Sequence, residues 1–224
     1  MKKAQRNLGF TLVEMLVAIA LMALMGVMAW RGISGMQGAN LRLAQYADDT
    51  VALQAGLGQW AADLDAIAMQ ANTPSLAWDG KVLRVLRRGS ATPGDGLRVV
   101  GWSQRQVDGS TQWLRWQSPP LRTRNEVQLA WQKAAMWAQN PSDEDRKREV
   151  AMVPLADWQI FYYRSNAWSN PLSSEGAPID AKATPITAPV VPDGVRLVLT
   201  LAPGQGISGV LTRDWMSPTL GGAK

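Results

Sequence analysis

The sequence predicts an α+β protein: a long N-terminal helix that first crosses a membrane, then a β-rich head. Three observations predict it. Phe10 to Trp30 is an apolar run carrying one charge, Glu14. A second stretch, Tyr46 to Ile67, repeats apolar residues every three or four positions. After Pro74 the period changes to two, as in a strand rather than a helix.

The first element is membrane physics. FTLVEMLVAIALMALMGVMAW is 21 residues long. As a helix it spans about 31 Å at roughly 1.5 Å per residue, matching a bilayer core of about 30 Å. Leu, Met and Ala dominate it, and all three are good helix formers. Lys2, Lys3 and Arg6 precede it. Their positive charge keeps residues 1–9 in the cytoplasm, so residues 31–224 are expected outside, in the periplasm of a two-membrane bacterium. The run is longer than a secretory signal's apolar region and lacks its small-residue cleavage site. A plain signal anchor fits length and charge, and Glu14 alone argues against it. A carboxylate in a spanning helix is costly, and such groups are usually paired and functional. Cleavage before Phe10 creates an α-amine four residues from Glu14, one helical turn away. The same geometry lets Glu14 reach the amine of a neighbouring subunit.

Gly32, Gly35 and Gly38 follow. Each costs a helix up to about 1 kcal/mol against Ala, which leaves two readings: a loosened joint, or small residues for close helix packing. The next element is a helix whose apolar stripe holds Tyr46, Leu53, Leu57, Trp60, Leu64 and Ile67, interrupted by Thr50. The stripe is expected to pack on the head's own sheet. Asp48, Asp49, Asp63 and Asp65 are expected mainly off it, and Asn72-Thr73-Pro74 is expected to stop the helix.

Lys81 to Arg87 then reads as a strand. Leu97 to Val107 and Thr111 to Gln117 read as a hairpin across Asp108-Gly109. Trp113 and Trp116 do not share a strand face, so one of them is expected to be exposed. Glu126 to Trp131 is expected as a further strand. Ser142 to Glu149 is a mixed charge run, expected as a solvated loop or helical turn. It lacks the glycine and spaced oxygens of a calcium loop. Trp158 to Arg164, Val195 to Leu201 and Ile207 to Trp215 complete the strands. Residues 169–192, rich in Pro, Ser and Ala, are expected to form a long loop, and the Gly221-Gly222 tail is expected to be mobile.

Composition narrows function. The 224 residues contain no Cys and no His, which removes thiol nucleophiles, Cys/His zinc sites and histidine acid–base chemistry. The 11 Trp suggest a sheet core or a contact surface. The formal charge is +5, but Lys2, Lys3 and Arg6 supply three of the 23 basic residues. The remaining 20 face 18 acidic ones, a net of +2. The scattered Lys and Arg form no basic stripe, so nucleic acid is not expected as a partner. There is no nucleophile elbow, phosphate loop or metal-ligand spacing. No catalytic, cofactor-binding or metal residue is expected.

Gly9-Phe10-Thr11-Leu12-Val13-Glu14, followed by the apolar helix, resembles the type IV prepilin signature. The resemblance implies a prepilin peptidase that cuts between Gly9 and Phe10, N-methylation of Phe10, and a role for Glu14 in subunit assembly. It implies a pilin-like fold, with one long helix as membrane anchor and filament spine. Four further segments are similar, in order, to J-type minor pseudopilins of type II secretion. They are Ala29-Trp30-Arg31-Gly32-Ile33; Leu57 to Ile67 with its Asp-Leu pair; Gln159 to Tyr163 with Ala167 to Pro171; and Pro192 to Leu197 with Leu211-Thr212-Arg213. Gly56 and Gly58 depart from that pattern, which usually has better helix formers there.

The expected organisation is a removed leader, 1–9; a transmembrane helix, 10–30; a periplasmic helix, 31–73; and a head, 74–224. The expected role is that of a minor pseudopilin at the tip of a pseudopilus. Its partners would be the prepilin peptidase, the other minor pseudopilins, the major pseudopilin and the inner membrane. A minor pilin of a type IV pilus shares everything before residue 30. The absence of Cys, and so of a C-terminal disulfide, leans towards the pseudopilin. A signal-anchored periplasmic binding domain that never assembles is the third reading.

Overall fold

The computed structural model describes residues 10–70, 73–89, 95–173, 191–204 and 206–218. The leader 1–9 with Gly9, Asn72, most of the expected loop 169–192 and the Gly221-Gly222 tail lie outside the described residues. The chain divides into two compact units, Met1–Ala47 and Asp48–Lys224.

The first unit is helical from Leu12 onward. Helix α1 runs over Leu12–Asp65 and so continues into the second unit. Its helical state is unbroken through Gly32, Gly35 and Gly38. A methyl group on any of the three would meet open space. The helix stops at Asp65, eight residues short of the expected boundary. Competition from the sheet explains this. The Ile67 N–H bonds to the Leu64 carbonyl at 3.1 Å, tightening the last turn. The chain then leaves for β2 (Val82–Arg88): the Ala68 N–H donates to Leu86 and the Arg88 N–H to Ala66, both at 2.9 Å.

The second unit adds β1 (Leu76–Trp78), β3 (Leu97–Val107), β4 (Ser110–Gln117), α2 (Arg124–Gln139), α3 (Asp143–Arg146), β5 (Glu149–Arg164), β6 (Ala167–Ser169), β7 (Gly194–Leu201) and β8 (Gly209–Met216). The strands form one antiparallel sheet in the order β1-β2-β3-β4-β5-β7-β8, with β6 also on β5. Strand β5 is shared along its length: its first part pairs with β4 and its second with β7. The β3–β4 hairpin turns at Asp108 (φ 49°) and Gly109 (φ 82°), the two left-handed residues a tight hairpin requires.

Both faces of this sheet are covered over β2, β3 and β4. One core cluster joins Leu53, Trp60 and Leu64 of α1 to Leu83, Val100, Trp113, Leu197 and their neighbours. The other joins Val127, Ala130, Ala134 and Trp137 of α2 to Leu86, Val99, Leu114 and Trp116. The expected stripe therefore packs on the sheet from Leu53 onward. Trp113 and Trp116 do face opposite ways, but both are buried, because α1 covers one face and α2 the other. Neither is exposed as expected.

The segment Glu126 to Trp131 is helix α2, not a strand. Thr123 and Glu126 form a capping box, Thr123 accepting from the Glu126 N–H and Glu126 from the Thr123 N–H. The N–H of Arg122, then that of Thr123, hold the Glu126 carboxyl below its ordinary range. The buried residues Val127, Ala130, Ala134, Trp137 and Ala138 keep helical spacing. Gly101 of β3 admits Trp137 closely: a Cβ there would sit 3.0 Å from its ring. The charge run is partly the helical turn α3, capped by Ser142, and its last member, Glu149, opens β5.

Gly56 and Gly58 separate into two cases. A Cβ at Gly58 would meet nothing, while one at Gly56 would lie 3.2 Å from the Trp113 ring and 3.3 Å from Met152 Cβ. Gly58→Ala is expected to stabilise by about 0.5–1 kcal/mol through helix propensity. Gly56→Ala is expected to destabilise, because Trp113 is fully buried and has no room to yield. Urea midpoints of the two variants, moving in opposite directions, check this.

Candidate functional site

The candidate site has two parts, one in each unit. In the first, Phe10, Leu12, Val13, Leu16, Met22 and Met25 are all more than half exposed. An 18-residue stretch of α1 has a mean hydropathy of 2.4, and among the described residues α1 alone is long and apolar enough to cross a membrane. A face so apolar in every direction is explained by lipid or by other helices, not by water.

Glu14 sits in the first turn of α1 and is not left without partners. Its carboxylate accepts from the Thr11 N–H at 3.0 Å and the Thr11 hydroxyl at 2.9 Å, both on Oε2. The Glu14 N–H donates back to Thr11 Oγ1 at 3.3 Å. This is a reciprocal helix cap, and T-x-x-E is its sequence signature. The negative charge also lies at the positive end of the helix dipole. Both effects offset part of the cost of placing a carboxylate at the membrane. Glu14 Oε1 makes none of these bonds, which leaves an oxygen for a cation. Phe10 is 88% exposed at the chain's first described position, and Gly9 lies outside the described residues.

In the second unit, the end of α1 holds the sheet through carboxylates. Asp63 is fully buried. Arg115 of β4 donates to it from Nε at 2.7 Å and Nη2 at 2.8 Å. Arg87 of β2 makes a second ion pair with it. Trp102 of β3 adds its indole N–H at 2.9 Å, and Gln59 its amide at 3.0 Å. Asp65 accepts from the Trp215 indole of β8 at 2.7 Å, and Asp49 from the Gly206 N–H at 3.0 Å. Asp63 was expected off the apolar stripe. It lies three residues after Trp60 and faces the sheet, because two guanidiniums reach it there. The arginines follow it by 24 and 52 residues, so only the folded sheet reveals the cluster. The apolar stripe resists sliding weakly, whereas these directional bonds fix where α1 sits along the strands.

Comparison with known proteins bears on the first part. Residues 5–30 match the family model described as the prokaryotic N-terminal methylation motif. No curated protein matches the chain. The motif, on a long apolar helix followed by an antiparallel sheet, supports a type IV pilin-like protein. It implies processing by a prepilin peptidase and pilus-like assembly, and the single apolar helix suggests a single-pass membrane anchor.

Proposed function

We propose that the protein is a J-type minor pseudopilin of a type II secretion system. The observation that carries the pilin-like part is the methylation motif over residues 5–30, on a helix that leads into an antiparallel head. The J-type part rests on the order of the four similar segments, from Ala29-Trp30-Arg31-Gly32-Ile33 to Leu211-Thr212-Arg213. In this reading the chain is an assembly subunit and not an enzyme. The prepilin peptidase cuts between Gly9 and Phe10, and Phe10 is N-methylated. The new amine and Glu14 then neutralise each other, within a subunit or between neighbours. A carboxylate that has hydrogen bonds but no cation in lipid favours that docking. The exposed faces of α1 pack as subunits leave the inner membrane, and the head, in the periplasm, selects the other minor pseudopilins and the major pseudopilin.

A minor pilin of a type IV pilus shares the same motif, and the genes beside this one separate the two machines. Processing tests the class. Mass spectrometry of the mature protein is expected to show N-methyl-Phe10, and an intact Met1 would overturn the reading. Glu14→Ala is expected to be cleaved normally but to recover at least about tenfold less sister subunit, the equivalent of losing about 1.4 kcal/mol. Unchanged recovery would remove Glu14 from the assembly step.

A further inference from the structure

Strand β8 ends the sheet: among the described residues its one strand neighbour is β7. The two pair without a register shift from Gly194 opposite Met216 to Leu201 opposite Gly209. The Ser217 N–H donates to the Asp193 carbonyl at 2.8 Å, one step beyond that ladder. In an antiparallel ladder the bonded positions alternate, so the odd-numbered residues of β8 bond to β7. Val210, Thr212, Asp214 and Met216 turn their N–H and C=O groups to the outer edge.

Edges protected from further pairing are very short, or carry charged side chains (lysine above all), proline or a bulge. The opposite edge, β1, is three residues long. β8 has eight residues, GVLTRDWM, with neither Lys nor Pro, and its two charges are Arg213 and Asp214. Val210 is 70% exposed and Met216 47%. Asp214 is engaged by Arg196 through two bonds of 2.7 Å, whereas Arg213 makes no ion pair among the described residues.

A second copy of β8 is a poor match for this edge. Outer-edge bonding sets even residues opposite even ones. Centred on Arg213, two copies place Val210 against Met216 but Arg213 against Arg213. Centred on Asp214 they oppose two aspartates, and centred on Thr212 they set Val210 against Asp214. Like charges directly opposite destabilise a strand pair. A twofold pair also closes on itself, whereas a filament needs a contact that repeats head to tail.

We propose that the outer edge of β8 accepts a strand from a neighbouring pilin-like subunit of different sequence. That strand would carry an acidic residue opposite Arg213 and apolar residues opposite Val210 and Met216. Main-chain bonds would supply the hold and these side chains the selectivity. The inference rests on the pilin-like reading and names the head surface that reading leaves open.

The test uses the full chain in detergent, alone and co-expressed with the pilin-like subunits encoded beside its gene. Amide exchange at residues 210, 212, 214 and 216 is expected to slow at least tenfold in the complex. Thr212→Pro removes one outer N–H and no bond to β7, a change edge strands tolerate. It is expected to reduce recovery of the sister subunit at least tenfold, while Thr212→Val retains it. Equal exchange with and without the subunits overturns the proposal, whether the amides stay open or are already covered by the chain itself. Full recovery with Thr212→Pro, alongside loss with Glu14→Ala, overturns the edge and leaves the pilin-like reading standing. A mature chain without N-methyl-Phe10 overturns both.

Discussion

Asp63→Ala is expected to destabilise the head by about 3–5 kcal/mol, the usual cost of removing one partner from a buried ion pair. Asp63 is fully buried, and the Arg115 and Arg87 side chains that meet it are 10% and 13% exposed. Without the carboxylate two guanidiniums face each other with no anion, and the Trp102 N–H loses its acceptor. Asp63→Asn keeps the volume and an acceptor for Trp102, so it is expected to cost less, but the charge remains uncompensated. The contrast is Arg196–Asp214, equally short but on the surface. There the Arg196 hydrogen bonds hold the Asp214 carboxyl below its ordinary range, yet solvent screening limits the pair to about 0–1 kcal/mol. Urea unfolding of the full chain in detergent, followed by tryptophan fluorescence, compares Asp63→Ala with Asp214→Ala. Equal midpoints would mean that Asp63 does not hold α1 on the sheet.

What the sequence reveals of the fold divides along the range of the forces involved. Local signals were legible. The apolar run, the Asp108-Gly109 turn and the alternating strands each rest on residues close in sequence, and they locate α1 and most of the sheet. Two local signals were present but outweighed. Thr123-x-x-Glu126 is a helix start, yet the alternation of Val127, Leu129 and Trp131 reads as a strand. The structure leaves Leu129 exposed and buries Val127 with Ala130 and Ala134, small residues that let a helix lie close. Thr11-x-x-Glu14 is likewise a cap, which shows that Glu14 has a partner before any neighbour arrives. Long-range facts were not legible. The burial of both Trp113 and Trp116 depends on α2 covering the second sheet face. The Asp63 cluster depends on β2, β3 and β4 being adjacent, which no spacing along the chain encodes.

Trp60→Ala is expected to cost about 3–5 kcal/mol, because the side chain is fully buried and its removal leaves a cavity between α1 and the sheet. A subtler pair separates packing from hydrogen bonding in the same cluster. The Trp60 indole N–H finds no acceptor among the described residues, whereas that of Trp102 reaches Asp63 at 2.9 Å. Both rings are fully buried in one core, so replacement by Phe removes a similar volume from each. Trp60→Phe also relieves a donor that is buried without a partner. Trp102→Phe removes one of the donors that compensate the Asp63 carboxylate. Trp102→Phe is therefore expected to cost about 1–3 kcal/mol more than Trp60→Phe, the penalty of a buried polar group losing its partner. Paired urea titrations of the two variants measure the difference directly. Equal losses would show that the Trp102 N–H adds no net strength to the Asp63 cluster. A larger loss at Trp60 would mean that packing along the α1 stripe, rather than the directional bonds at its end, sets how firmly the helix is held.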